Sequence, residues 1–245
     1  MELACVTDVG RQRKNNEDSY FIYRNDYLCG GLVADGMGGY ESGELASRMA
    51  ADIIKQYIIT KYNPKMDYME MAELLKTAFV VANTQIYKAA KRPENKGMGT
   101  TATLAFLYQE RLICVHVGDS RCYLISDDGI EQITNDHSFV GELLRNGQIT
   151  EPEAMYHPNK NLITRALGAE LTVKSDINMS RYKNETVLIC SDGLSNMLSD
   201  EQILESINKS ENLDTALKKM VELANKKGGN DNITAVAFRN VKGEA

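Results

Sequence analysis

Histidine is scarce in this sequence, which contains His116, His137 and His157 as its only histidines. Of these, only His116 lies near a candidate metal ligand, and the alternation of side chains along its predicted strand makes it an unfavourable one. Cysteines spaced as C-x-x-C are absent as well. Because zinc sites are built mainly from histidine and cysteine, and many iron sites from histidine, these absences argue against either kind of centre.

Positive charge is also in short supply. The net formal charge is −6 at pH 7, with 28 Lys and Arg against 34 Asp and Glu, so nothing favours binding of nucleic acid or of an anionic membrane surface. No apolar run approaches the roughly 18 residues of a membrane-spanning helix, and residues 1–10 do not resemble a signal peptide. We therefore expect a cytoplasmic protein with no membrane span.

The cysteines are few and odd in number, and each lies in an apolar, strand-like run. This placement is typical of buried free thiols in a reducing compartment. The five residues are Cys5, Cys29, Cys114, Cys122 and Cys190.

The apolar pattern predicts runs of strands followed by runs of helices, without strict alternation. Residues 42–62 and 68–91 repeat apolar side chains at helical spacing, and residues 199–210 and 213–227 do so again. Strand-like runs lie before, between and after these helix pairs. The pattern indicates an α+β fold with mostly antiparallel sheets and helices covering both outer faces of a sheet pair.

Acidic residues stand where the predicted strands begin or end, and glycine lies beside most of them. A simple turn is enough to explain any one of these acids, since Asp and Gly are common turn residues, and the stretch SDDG at 126–129 is such a turn. The same feature at several strand ends instead favours a shared site. The acids concerned are Asp35, Asp192, Asp119, Asp231 and the pair Glu17 and Asp18.

Convergence of these carboxylates would have a chemical consequence. Two carboxylates about 5 Å apart repel by roughly 3 kcal/mol at an effective dielectric constant of about 20, so a cluster takes up protons or binds cations. Ligands that are all oxygen select hard ions such as Mg²⁺ or Mn²⁺, and two such ions can activate a water and neutralise a phosphate. Arg13 and Lys14 are candidates to hold phosphate oxygens, although a solvated surface position is the simpler explanation for either.

Several longer motifs contain these residues and occur in a fixed order: RKNNEDSY, VADGMGG, GTTATL, VHVGDSR, ITRALG, LICSDGL and GGNDNITAV. Together they resemble the metal-dependent protein phosphatase family (PPM, also called type 2C) in its short bacterial form, over about residues 7–238. The resemblance implies a single domain over residues 1–245, with two antiparallel sheets stacked face to face between helix pairs. It also implies hydrolysis of phosphoserine and phosphothreonine in proteins by two Mn²⁺ or Mg²⁺ ions.

By position, the resemblance assigns the catalytic metal ligands to the motifs with Asp-Gly and Asn-Asp. Asp35 matches the carboxylate that bridges both ions, and the backbone carbonyl of Gly36 matches a ligand of the second ion. Asp192 and Asp231 match the ligands of the first.

Further residues match outer parts of the family site. Asp18 and Glu17 match acids that act largely through metal-bound waters, and Asp119 matches a ligand of a weaker third ion shared with Asp192. Arg13 matches the phosphate-binding arginine, and residues 136–165 match a mobile flap beside the site.

One position departs from part of the family. Some members carry a histidine after the Asp-Gly pair, proposed as the acid that protonates the leaving alcohol, whereas this chain has Met37 there. A water on the third ion and His157 in the flap both stay open as candidates, although His157 is better explained as the cap of a turn before Pro158.

The resulting hypothesis is a protein serine/threonine phosphatase that acts on phosphorylated proteins and reverses a cognate Ser/Thr kinase. A dedicated regulatory phosphatase with one partner protein is an alternative, although no sensor domain accompanies the motifs. A catalytically silent phosphoprotein-binding module is another, but it would be expected to have lost metal acids. An unrelated metal nuclease is disfavoured by the acidic net charge.

Overall fold

The computed structural model describes residues 1–39 and 42–240. A 3-10 turn spans Pro93–Asn95. The strands are β1 (Glu2–Asp8), β2 (Asp18–Arg24), β3 (Leu28–Met37), β4 (Gly99–Thr100), β5 (Ala102–Tyr108), β6 (Arg111–Val117), β7 (Arg121–Ile125), β8 (Ile130–Gln132), β9 (Asp176–Arg181), β10 (Thr186–Cys190) and β11 (Ile233–Arg239). The helices are α1 (Ser42–Lys61), α2 (Tyr68–Ala90), α3 (Phe139–Arg145), α4 (Glu151–Met155), α5 (Asp192–Ser195), α6 (Asp200–Asn208) and α7 (Leu213–Lys226).

The strands form two antiparallel sheets. One has five strands in the order β1-β11-β10-β7-β8, and the other has the order β2-β3-β5-β6-β9 with the short β4 paired to β3. The first and last strands in the described part of the chain are neighbours, since β1 pairs with β11 along its whole length. The predicted fold class, α+β with two antiparallel sheets and helices outside, is confirmed.

Three apolar layers hold the sheets and helices together. The middle layer lies between the two sheets and contains Val33, Val187 and Phe238 with little or no exposed surface. An outer layer joins β2, β3, β5 and β6 to α1 and α2, and the opposite one joins the five-stranded sheet to α5, α6 and α7. The two sheets are therefore held in fixed relation, and residues at their edges can form one site.

Two acids lie at different places in their elements than the sequence indicated. Asp35 is not at the end of its strand, because β3 continues through Gly36 and Met37, which pair with Thr100 and Gly99 of β4. Asp192 does not follow β10 as a loop residue but is the first residue of the short helix α5.

Four of the five cysteines are buried free thiols, as predicted, and one is only half-buried. Cys29, Cys114, Cys122 and Cys190 are buried and free, whereas Cys5 is free but half-buried. Cys5 lies on β1, which is an edge strand of its sheet. In the described part of the chain, no helix is both long and apolar enough to cross a membrane.

Cys190 provides a test of the structural role of the buried thiols. Its thiol has no exposed surface, and burial raises its pKa to about 12, so it is a neutral packing group at pH 7. Cys190→Ala should lower the free energy of unfolding by about 1 kcal/mol and leave the catalytic rate near wild type, as measured by urea unfolding and phosphopeptide hydrolysis.

Cys5→Ala is the matched control, because a half-buried thiol should cost less when removed. Loss of activity when the folded protein is treated with iodoacetamide, with protection by phosphate, would contradict a packing role and indicate a reactive cysteine.

Candidate active site

The centre of the site lies on two neighbouring strands. Asp18 at the start of β2 is directly opposite Asp35 of β3 in the antiparallel register. Directly opposite residues of an antiparallel pair have Cβ atoms about 4.5–5.5 Å apart on one face of the sheet. The pairing therefore places two carboxylates side by side. Such a pair is stable only if a proton or a cation reduces the repulsion between the two groups.

The segments next to β10 and β11 of the five-stranded sheet contribute Asp192, at the start of α5, and Asp231, just before β11. Ser191, which has no exposed surface, joins the two sheets because its hydroxyl donates to Asp18 Oδ2 at 2.8 Å. The same hydroxyl accepts the backbone N–H of Thr234 on β11 at 3.0 Å. Asp192 follows Ser191 directly, so this one hydroxyl links Asp18 to the residue before Asp192.

Asn232 fixes the loop that carries Arg13 and Glu17. Its side-chain oxygen accepts the backbone N–H of Glu17 at 2.8 Å, and its amide nitrogen donates to the carbonyls of Val9 and Asn15 at 2.9 Å each. Its own backbone N–H donates to Asp231 Oδ1 at 2.8 Å. A single buried amide therefore holds the N-terminal loop against the start of β11.

Asp119 enters the site on the turn after β6. Gly118 has φ +117°, and a Cβ there would lie 2.5 Å from the side chain of Thr101, so this turn requires glycine. Thr101 Oγ1 accepts the backbone N–H of Asp35 at 2.9 Å and is hydrogen bonded to Ser120 Oγ at 2.8 Å. Thr101 thus joins the backbone of Asp35 to the turn that carries Asp119.

The carboxylates raise one another's pKa values. Although part of the Asp35 residue is exposed, its carboxyl group is surrounded by protein, and burial together with Asp18 and Asp192 raises its pKa well above the ordinary value. Burial and the charge of Asp192 do the same for the pKa of Asp119. Burial also raises the pKa of Asp18 to about 7 and, with the charge of Asp231, the pKa of Asp192 to about 6. These acids share one electrostatic environment.

Glu17 belongs to the rim of this environment. Burial raises the pKa of Glu17, the charge of Arg13 lowers it, and the charge of Asp231 raises it again. Its neighbours leave no space for added atoms, since a Cβ on Gly43 of α1 would lie 2.9–3.0 Å from the Glu17 carboxylate. A Cβ on Gly36 would lie 2.1 Å from the Gly43 carbonyl. Glycine at these two positions lets β3, α1 and the Glu17 loop meet.

The donor set suits hard divalent cations. Within the described residues, one buried oxygen of each of Asp18, Asp119 and Asp192 has no hydrogen-bond partner. A buried carboxylate oxygen without a partner is costly, and a cation is the group that best satisfies several of them at once. Every candidate side chain here offers oxygen, which is the ligand that Mg²⁺ and Mn²⁺ prefer.

The acids do not form a finished ligand cage. Among residues 1–39 and 42–240, no group of three or more His, Cys, Asp or Glu side chains is arranged so that it could hold a metal ion. Protein donors already bind some of the carboxylate oxygens. Arg13 Nη2 donates to Asp231 Oδ2 at 2.7 Å, and Asn196 donates to Asp192 Oδ2 at 3.0 Å.

The two candidate cations differ in their surroundings. Arg13 is half-exposed, lies beside Asp231 and reaches the edge of the acidic group. Lys14 is exposed to solvent. The structure therefore brings Arg13, rather than Lys14, to the carboxylates.

The segment 136–165 contains α3 and α4 and is closed at its base. Arg121 donates to Asp136 through both Nε and Nη2, and the backbone N–H of Thr164 donates to the carbonyl of His137 at 2.8 Å. His157 lies in the turn after α4, where its Nδ1 accepts the N–H of Asn159 at 3.1 Å. The contact is the one expected of a turn cap.

The sequence matches a known protein family over most of its length. Residues 10–236 match the family described as Protein phosphatase 2C. The chain belongs to the protein phosphatase 2C family. The match confirms the predicted family and the predicted class of enzyme, a protein serine/threonine phosphatase.

Relatives and solved structures agree with this assignment along nearly the whole chain. The phosphatase is 38% identical over 240 residues to the serine/threonine phosphatase stp of Listeria innocua, covering 96% of this chain and 94% of the relative. It is similar to the crystal structure of the Mycobacterium tuberculosis serine/threonine phosphatase PstP/Ppp, with a TM-score of 0.85 and 36% identity over 96% of this chain and 97% of the other. The PstP catalytic domain solved in complex with two manganese ions has a TM-score of 0.82 and 35% identity, covering 96% of each chain.

The sequence did not reveal the uncharged residues that hold the phosphatase site. Thr101, Ser191 and Asn232 lie inside the quoted motifs, yet no role was predicted for them. Their signal was weak but present: each is a polar residue adjoining an apolar run that the structure buries. Such residues need a hydrogen-bond partner, and here the partners are backbone or carboxyl groups of the site.

Asp18 gives a prediction about pH. Its pKa of about 7 in the folded protein lies above the ordinary 3.8, so between these values the folded state binds more protons than the unfolded chain. Stability from this group is complete below pH 4 and is lost as the pH rises towards 7. In EDTA, Asp18→Asn should be more stable than wild type, by on the order of 1 kcal/mol at pH 7.5, as measured by urea unfolding.

The difference in free energy of unfolding between Asp18→Asn and wild type should grow between pH 4 and 7 and then level off. Asp128→Asn, in the exposed turn after β7, is the matched control and should show no such growth. A constant difference across this range would mean that burial and the neighbouring acids do not raise the pKa of Asp18.

Proposed function

We propose that this protein phosphatase hydrolyses phosphoserine and phosphothreonine in proteins in the cytoplasm and reverses the action of a Ser/Thr kinase. The observation that carries the proposal is the group of buried carboxylates at one edge of the sandwich, three of which have an oxygen without a partner. Such a group takes up protons or binds cations, and a phosphate ester is a substrate that cations at an acidic edge can bind.

We assign the metal-binding role to carboxylates from both sheets. Asp35 is central, because its pKa is affected by Asp18, Asp192, Asp119 and Asp231. Asp35, Asp192 and Asp231, with the carbonyl of Gly36, would hold two Mn²⁺ or Mg²⁺ ions. The two manganese ions of the similar PstP structure support this number.

Three further acids would act around these two ions. Asp18 and Glu17 would act through water, and Asp119, whose pKa is raised by the charge of Asp192, would share a weaker third ion with it. When bound, the ions supply charge neutralisation for the phosphate and an acidified water as nucleophile.

Arg13 would orient the phosphate of the substrate. Its guanidinium is already held beside the acidic group by Asp231 and lies half in solvent, where an incoming phosphoprotein can reach it. A guanidinium can bind two oxygens of one phosphate, which fixes the direction of the scissile P–O bond.

Protonation of the leaving alcohol cannot fall to Met37, which has no proton to give. The Nδ1 of His157 already accepts the N–H of Asn159 in its own turn. A group beside Asp119 is therefore the better candidate for the source of the proton.

We also propose that residues 136–165 act as a flap of this single domain, which moves above the base formed by Asp136 and Thr164.

Two other functions are less well supported. A silent phosphoprotein-binding module has no need of buried, mutually repelling carboxylates, which cost stability unless cations bind. A phosphatase dedicated to one partner would use the same chemistry, so substrate profiling over several phosphoproteins is needed to distinguish it.

Metal titration provides the principal test. EDTA should abolish hydrolysis of a phosphothreonine peptide, and Mn²⁺ or Mg²⁺ should restore it. Asp35→Asn should lose the tightly bound ions, because a neutral amide is a poor bridge between two cations. Asp119→Asn should keep them, lose the weak ion and lower kcat strongly. Calorimetry and peptide kinetics measure both quantities.

Asp128→Asn again serves as the control with the same chemical change at an exposed turn. Full activity in EDTA would overturn the proposed chemistry. A wild-type kcat in Asp119→Asn would limit Asp119 to a structural role in its turn.

Arg13 can be tested separately from the metal ligands. Arg13→Ala should raise KM by roughly 10–150-fold, since loss of a charge-assisted pair costs about 1.5–3 kcal/mol, and should leave the tightly bound ions in place. Arg13→Lys should recover only part of the loss, because an ammonium does not bind two phosphate oxygens in one plane. Lys14→Ala is the control, and equal effects at the two positions would assign both to general surface charge.

A further inference from the structure

His137 lies between the base of the flap segment and the turn that carries Asp119. Its residue is 1% exposed, although it belongs to a loop. Its backbone N–H donates to the carbonyl of Gly118 at 2.7 Å, and its carbonyl accepts the N–H of Thr164 at 2.8 Å. The backbone of this residue therefore joins both ends of the flap base to the residue before Asp119.

The imidazole makes a second connection to the same turn. The backbone N–H of Gly118 donates to His137 Nδ1 at 3.1 Å. A backbone N–H can only donate, so Nδ1 carries no hydrogen and the neutral ring is protonated at Nε2. Nε2 then donates to Asp176 Oδ2 at 3.1 Å. Arg165 Nη1 donates to the other oxygen of Asp176 at 3.0 Å and also lies 3.2 Å from Nε2, where a second donor opposes the proton, so the carboxylate of Asp176 is needed to keep the proton on Nε2.

The neutral form of the ring is the one that this geometry requires. Burial lowers the pKa of His137, while its hydrogen bond to Asp176 acts in the opposite direction. A protonated ring would place a hydrogen on Nδ1 and oppose the N–H of Gly118. Asp176 thus fixes which nitrogen carries the proton, in the way that a carboxylate orients a histidine in many sites.

Gly118 transmits these contacts to Asp119. Its left-handed backbone packs against Thr101, so the turn can hardly shift on that side. On the other side, both its N–H and its carbonyl are bound by His137. The direction in which Asp119 leaves this turn is therefore set between Thr101 and His137.

We propose that His137 is a positioning residue for the phosphatase reaction, which aims the Asp119 carboxylate through Gly118, and that Asp176 holds the ring in the required tautomer. The inference rests on the proposed function for the part that makes Asp119 a ligand of the weak ion. His137 itself touches neither substrate nor the reacting atoms.

Two substitutions at this position separate the contacts of the ring. In His137→Asn, the amide oxygen takes the place of Nδ1 and can still accept the N–H of Gly118, but the contact with Asp176 is lost. In His137→Gln, the longer amide reaches Asp176 and leaves the N–H of Gly118 unpaired. Both variants lose the imidazole and its packing, so each controls for the other.

His137→Gln should bind the weak Mn²⁺ ion roughly tenfold less tightly, which corresponds to about 1.4 kcal/mol, with the two tight ions unchanged by calorimetry. Its Gly118 amide should exchange with solvent faster than in wild type. His137→Asn should stay within about threefold of wild type in weak-ion affinity and keep slow exchange. Equal losses in the two variants would overturn the proposal, because packing alone would then explain them, and so would wild-type behaviour of His137→Gln.

Asp176→Ala is a second route if His137→Gln does not fold. It leaves the ring in place but leaves Nε2 facing only the donor Arg165 Nη1 at 3.2 Å, which competes with the Gly118 N–H for an unprotonated nitrogen. The ¹⁵N spectra of the imidazole should therefore change from the Nε2-protonated tautomer to a mixture, with weaker binding of the weak ion. An unchanged spectrum and affinity would contradict the role of Asp176. If wild type itself binds no third Mn²⁺, the metal role of Asp119 fails, while the exchange of the Gly118 amide in the Gln and Asn variants still decides whether His137 fixes the turn.

Discussion

Repulsion among buried carboxylates is the constraint on which the rest of the site depends. Asp18 and Asp35 face each other across one pair of strands, and Asp192 is close enough to change the pKa of both. Packing this charge costs stability. The remainder of the fold must therefore hold the acids in place against a force that pushes them apart.

Uncharged donors perform most of this restraint. Ser191, Thr101 and Asn232 bind the backbone or one oxygen of the acids and leave other carboxylate oxygens without partners. A cationic partner at these positions would neutralise the group. Arg13 is the exception, because its guanidinium binds Asp231 and lies at the solvent side.

The fold class and the residues of the acidic group were predictable because both depend on local patterns. Apolar periodicity identified the helix pairs, and Asp-Gly motifs after apolar runs identified Asp35 and Asp192. The helix that begins at Asp192 and the contacts of Ser191 were not predictable in this way, because the bond from Ser191 to Asp18 joins residues 173 positions apart. Such partners are set by how the sheets stack, which periodicity does not encode.

The pairing of β1 with β11 has a consequence for the order of synthesis. Residues 9–17 are held by Asn232, and the strand before them is paired along its length with the last strand of the described chain. A nascent chain that ends before residue 230 therefore lacks the partner of its own first strand and the anchor of the Arg13 loop. A chain shortened in this way therefore lacks contacts that the site needs at both of its ends.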